Sequence, residues 1–379
     1  MVSKTTITLD LLSAQNVTWE RLARVTKSNN IGSAYLFYGP PGAGKEGLAI
    51  KFAQLMNCND GDSQVCNICP SCVRFNQLQH EKLKIIVPLP TPKKNTKDSE
   101  SKTDFALDNY TQCISKKAQD LLFKIQIPKA NRILIQSIRE LRRSLYLKND
   151  PAGRNIVLIL DAHLLSAGQA EAANALLKIL EEPPENTTLV LVTDYKELLL
   201  QTIISRCQQI AIPRLPNDFI LAWLIDHNLD AEDAKFVTGL SRGNIHQARN
   251  LSSQPVEDII NLMQSLVQTV ISQDPDKWRA FTQTYGKLAS QNLTEFNYHF
   301  SLVTLWFREA YRLRKGLSSD FIGTSLQSGF ILFNESFPRA DLTAISFCLE
   351  DTLEAIPQNL YMPLILTNFL LDIQKYLHG

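Results

Sequence analysis

At 379 residues, 44% of them hydrophobic, the chain is long enough to bury two or three cores rather than one. Lys and Arg nearly balance Asp and Glu, 39 against 38, which excludes whole-molecule attraction to nucleic acid or an anionic membrane; any phosphate contact must come from a local patch. No run approaches the roughly 20 apolar residues that cross a bilayer, and residues 1–12 lack the basic-then-apolar layout of a signal peptide, so a cytoplasmic protein with no membrane partner is expected.

The first element predicted in chain order is a strand, Ala34-Tyr35-Leu36-Phe37-Tyr38, apolar on both faces as buried parallel strands are. It runs into Gly39-Pro40-Pro41-Gly42-Ala43-Gly44-Lys45-Glu46, a Walker A pattern between a strand and a helix. In such a loop Gly39, Gly42 and Gly44 let backbone N–H groups converge on phosphate oxygens, and Lys45 reaches the outer phosphates. The position after the lysine should carry a hydroxyl for Mg²⁺, but Glu46 places a carboxylate there, beside the triphosphate. Two readings stand: a weakened ATP site, or a loop kept only as a structural turn.

Cys58, Cys66, Cys69 and Cys72 follow, at spacings that let one short loop wrap an ion. Four thiolates are the complement of a structural zinc, with no coordination position left for water. An iron–sulfur cluster uses the same ligands, and packed free thiols are the third option. No Pro follows the last Cys as in ferredoxin runs, which favours zinc. Cys113 and Cys348 stand alone. Residues 88–103 are rich in Pro, Lys and Ser and nearly devoid of apolar side chains, so a mobile insertion is expected there, within a longer variable segment, 88–126, lying outside the motifs. Residues 129–154 then gather Lys129, Arg132, Arg139, Arg142, Arg143, Lys148 and Arg154 against Glu140 and Asp150, either a surface for duplex phosphates or a solvated face.

The next buried strand, Asn155 through Leu160, ends at Asp161, the Walker B position. An active ATPase places a Glu next to orient the attacking water. Here Ala162 and then His163 follow, so hydrolysis by this chain is not expected, and His163 reads as a structural hydrogen-bonding group. A helix capped by Ser166, with Gln169 three residues on, is predicted to run to Glu182, where Pro183-Pro184 stop it. Thr188 to Val192 form a third strand, and beyond Pro213 the patterns turn helical.

Asn174-Ala175-Leu176-Leu177-Lys178-Ile179-Leu180-Glu181-Glu182-Pro183-Pro184, followed by a strand and Ser205-Arg206-Cys207, resembles the ATPase-fold subunits of bacterial clamp loaders, over most of residues 31–209. Within that family the altered Walker A and the Asp-Ala Walker B are similar to the delta-prime branch rather than the gamma/tau motors. The resemblance implies an α/β fold: an AAA+ P-loop, Rossmann-like parallel-sheet domain over 1–213 that includes a zinc module at 58–72, a helical lid at 214–273, and an all-helical collar at 274–379. It also implies that Arg206 is an arginine finger acting in trans on a neighbour's ATP, a role suited to a planar, permanently charged guanidinium. Thr193 takes the first sensor position, and Arg242 either the second sensor or a helix cap. The implied partners are gamma/tau motor and delta subunits, the sliding clamp and primed DNA. An ATP-hydrolysing gamma/tau subunit and a zinc-dependent nucleic-acid-binding protein with a relict nucleotide fold are the rival readings.

Overall fold

The computed structural model describes residues 10–28, 30–60, 64–90, 99–128, 130–147, 153–317, 325–356 and 360–378. The chain divides into two compact units, Met1–Trp223 with Arg242–Gln247, and Leu224–Ser241 with Ala248–Gly379. In the first, α1 (Leu11–Ala14), capped by the Asp10 carboxylate on Leu12 N–H, and α2 (Asn16–Lys27) precede β1 (Ala34–Tyr38). Then come α3 (Lys45–Met56), α4 (Pro70–Asn76), β2 (Leu83–Ile86), α5 (Ser99–Gln119), α6 (Ile135–Leu147), β3 (Asn155–Ile159), α7 (Glu171–Glu181), β4 (Thr187–Thr193), α8 (Gln201–Ile204) and β5 (Gln208–Ala211).

All five strands are parallel, in the order β2-β3-β4-β1-β5. The three central strands lie where the apolar runs predict them. Their period-2 alternation sorts side chains into two cores. Tyr35, Phe37, Ile156, Leu158, Val190 and Val192 face Leu22 of α2 and Phe52 of α3. Ala34, Leu36, Val157, Ile159, Leu189 and Leu191 face Ile138 of α6 and Leu176 of α7. The edge strands β2 and β5 are not announced by the apolar pattern: three of the four β5 residues are exposed, and an edge needs only one buried face.

The expected start of α7 needs correction. α7 begins at Glu171, with Ala170 before it in a left-handed conformation. Residues 162–166 instead form a 3₁₀ turn, and the Ser166 hydroxyl caps nothing. The reason is local, because Gly168 (φ 74°) and Ala170 (φ 53°) turn the chain where a helix cannot continue. Of the mobile segment expected at 88–103, only the two ends are described. Residues 91–98 lie outside the described residues, but Ser99 opens the 21-residue helix α5, and Leu89 bridges back to Arg132.

Beyond β5 the chain is helical among the described residues: α9 (Asn217–Asp226), α10 (Ala231–Ser241), α11 (Ile245–Ser252), α12 (Val256–Ile271), α13 (Pro275–Gln291), α14 (Leu293–Arg314), α15 (Ser325–Ser336), α16 (Leu342–Glu354) and α17 (Met362–His378). Asp274 caps α13, accepting from the N–H groups of Asp276 and Lys277, with Pro275 at its first position. In the second unit α13, α14 and α17 meet in an aromatic cluster. Phe296 and Phe300 stack at 4.4 Å, Phe281 and Tyr285 at 4.5 Å, and Phe369 closes on Phe300 at 5.6 Å. Helix α12 packs on α14 and α17 in the same unit. No described helix is long and apolar enough to cross a membrane.

Candidate functional site

A pocket opens at the carboxyl ends of the central strands, where open α/β sheets place their ligands. The loop after β1 supplies Gly42, Ala43, Gly44, Lys45, Glu46 and Gly47, Asp161 follows β3, and Thr193 and Asp194 end β4. The sequence-predicted residues therefore converge, apart from Gly39, which touches the site through its carbonyl: Lys45 Nζ donates to Gly39 O at 2.8 Å and to Pro40 O at 2.5 Å. The Lys45 ammonium also pairs with Asp194 at 2.5 Å. Gly42 has φ 69°, and a Cβ there would run into Asn244, whose segment holds the loop through Ile245 N–H to Gly42 O.

Three residues that sequence reasoning missed complete the charge pattern: Asp194, Lys117 and Lys124. Contrary to the expectation that 88–126 lies outside the motifs, its C-terminal part enters the site. Lys117, at the end of α5 and 1% exposed, donates to Glu46 Oε2 at 2.7 Å and to Phe123 O at 2.6 Å. Lys124 Nζ lies 2.6 Å from Asp161 Oδ1, 3.3 Å from Glu46 Oε1 and 3.9 Å from Asp194 Oδ2. Three carboxylates thus face three ammonium groups.

The protonation states follow from this pairing. Burial works to raise the Glu46 carboxyl, but the charges of Lys117 and Lys124 outweigh it and hold the group at about 2. Desolvation works to lower Lys124, which is partly buried, but its three carboxylate neighbours raise it. Burial lowers Lys117 and Lys45, with Glu46 and Asp194 respectively opposing it. His246, on the pocket wall, is pushed down to about 4 by burial, so its ring is neutral and adds no charge. Free volume is about 20 Å³, on the order of one water molecule. A magnesium nucleotide does not fit these residues, because an ammonium group stands amid the carboxylates that would face its metal.

The four cysteines also converge. All four Sγ atoms lie within 4.8 Å of one another, and Cys66 and Cys72 are 3.8 Å apart, against about 3.8 Å for tetrahedral ligands with Zn–S near 2.3 Å. Cys69 caps α4, with Pro70 at its first position, and Cys72 sits in the first turn, so the helix N-terminus faces the thiolates. The N–H groups of Cys69 and Cys72 donate to the Sγ atoms of Cys66 and Cys69. Burial opposes ionisation of Cys69, yet the N–H groups of Asn59 and Cys72 draw its thiol down to about 6. Gln54 of α3 ties the loop to the phosphate-loop helix through Cys72 O, Asn67 and Asn76. The set can hold a metal such as zinc.

Outside the pocket, Arg206 lies just past α8 with its side chain 36% exposed, aligned by Glu181 Oε1 at 2.8 Å and Thr202 O at 2.9 Å. The Thr193 hydroxyl is engaged by His163 Nδ1 at 3.1 Å and by Tyr195 N–H at 3.0 Å, and Ala162 is fully buried. Arg242 follows α10 in a left-handed conformation, φ 50°, the geometry of a helix end. Within the basic segment Arg154 is structural rather than a free phosphate contact, bonding Thr188 Oγ1 and Ile31 O. Lys129, Lys148 and Asp150 lie outside the described residues.

The parallel five-stranded sheet, the phosphate loop after its first strand and the acidic residues at the ends of β3 and β4 define a P-loop protein of the AAA+ class, followed by helices. The profile described as "DNA polymerase III, delta subunit" matches residues 14–216, and the chain belongs to that family of clamp-loader subunits. The DNA polymerase III subunit delta' of Bacillus subtilis is 28% identical over 226 residues, 60% of this chain and 55% of that protein. The tau subunit of the same organism is 27% identical over 308 residues, 78% of this chain and 45% of that one. The delta' subunit of Pseudomonas aeruginosa is 26% identical over 280 residues, 72% of each chain. This chain spans about half the length of the Bacillus relatives it matches. A gamma-subunit-related protein of Thermotoga maritima aligns with a TM-score of 0.38 at 17% identity, over 95% of this chain and 100% of its own.

Proposed function

We propose that the chain is the non-hydrolysing, delta-prime-type subunit of a bacterial clamp loader, acting in the cytoplasm as a stator beside gamma/tau motor and delta subunits while the sliding clamp is placed on primed DNA. The observation that carries this reading is Ala162. A buried methyl group follows Asp161, where hydrolysis needs a carboxylate to orient water. An ATP-hydrolysing gamma/tau subunit would need that group.

In this reading Arg206 is the chain's catalytic contribution, presented to the ATP of a neighbour. Glu181 and the Thr202 carbonyl hold the guanidinium, and the side chain is 36% exposed. The 1–213 domain, the lid at 214–273 and the collar at 274–379 divide the labour, with the collar joining subunits. Zinc on Cys58, Cys66, Cys69 and Cys72 fixes the loop over α3.

The test is Arg206→Ala in a loader reconstituted from purified subunits. Turnover at the adjacent motor site should fall by about 10³-fold or more, with assembly intact by mass measurement. Unchanged clamp- and DNA-stimulated ATPase activity would overturn the assignment.

A further inference from the structure

The pocket contains its own counter-charges, and those charges come from the insertion. Lys124 Nζ is set among Glu46, Asp161 and Asp194, carboxylates from the phosphate-loop helix and the ends of β3 and β4. The first two stand at the positions from which a P-loop protein holds its magnesium. Lys117 takes the other Glu46 oxygen and is itself fixed by the Phe123 carbonyl.

Between the two lysines the chain lies directly on the phosphate-loop helix. A Cβ on Gly47 would meet Leu121 O at 2.9 Å, so the insertion's backbone touches the first turn of α3. Leu121 and Leu122 line the pocket beside the loop. Leu11 of α1 also packs against Gly44 and Gly47. Glu46, a defect when set against a hydroxyl that ligates magnesium, is matched here to two ammonium groups, as an almost fully buried carboxylate requires.

We propose that residues 117–124 are an intramolecular lock, in which the Lys124 ammonium replaces the metal ion and Lys117 with Glu46 closes the phosphate-binding volume, so that the chain excludes magnesium nucleotides. The lock deepens the non-hydrolysing reading, and the two fail separately: nucleotide bound without turnover breaks the lock alone, whereas turnover breaks the stator reading too.

The experiment uses the full chain with Mn²⁺ as the probe, followed by electron paramagnetic resonance, in wild type and in Lys124→Ala. Removing the ammonium leaves three carboxylates facing one another, a ligand set for a hard divalent cation. The variant should bind one Mn²⁺ at least about tenfold more tightly than wild type. A folded variant with unchanged Mn²⁺ affinity would overturn the proposal. Should the variant fail to fold, amine acylation of the wild type decides. Lys117 and Lys124 should react far more slowly than the exposed Lys287, with no change when millimolar Mg-ATP is added. Acceleration of their labelling by Mg-ATP would show a pocket that nucleotide opens, and would refute the lock.

Discussion

Two polar clusters flank helix α3 and solve opposite problems. The pocket at its N-terminus is electrically complete, with Lys45, Lys117 and Lys124 set against Glu46, Asp161 and Asp194. The cysteine loop packed on the same helix gathers four thiols within 4.8 Å of one another. One cluster carries its own counter-charges; the other offers four ligands of the kind that can hold a metal ion. A chain can thus keep the outline of two ligand sites while making one of them a structural ion pair.

The contrast is broken most strongly at the cysteines. Structural zinc sites carry apparent binding free energies of about 10–16 kcal/mol in small peptides near neutral pH. Cys72→Ser should therefore abolish stoichiometric zinc measured by elemental analysis and loosen the loop over α3. Full zinc occupancy in that variant would show that the four sulfurs do not act as one site.

The next effect belongs to Glu46. Glu46→Gln leaves the buried Lys117 without its carboxylate partner and Lys124 with one fewer, and should destabilise the fold by about 3–5 kcal/mol at neutral pH, read from the denaturant midpoint. The pH dependence has a defined sign. Because the carboxyl is held at about 2 against an ordinary 4.5, its contribution is present above 4.5 and is lost as pH falls towards 2. The acid limb of the stability curve should be flatter in Glu46→Gln across that window. Identical acid limbs would mean that Glu46 is not ion-paired in solution.

Much of this was legible in the sequence. The central strands announce themselves because both faces are buried, and the glycines, Lys45 and the clustered cysteines sit close together in the chain. Pro183-Pro184 follow α7 closely, since a prolyl ring and its missing N–H stop a helix wherever they fall. The illegible parts share a cause. β5 shows a polar face because it lies at the sheet edge, and the start of α7 was shifted by left-handed residues whose conformation only the fold dictates. Lys117 and Lys124 sit in a polar insertion 71 and 37 residues from Glu46 and Asp161. A lysine in such a stretch reads as solvated, because lysines are almost never fully buried unless paired. Only the fold reveals the partners. The unmatched Glu46 was the available signal, a carboxylate in a site that otherwise expects anions.

Calorimetric titration of the wild-type chain with Mg-ATP tests the central claim most directly. A pocket already filled by its own ammonium groups predicts no saturable heat up to millimolar nucleotide. One-to-one binding at micromolar concentration would contradict it.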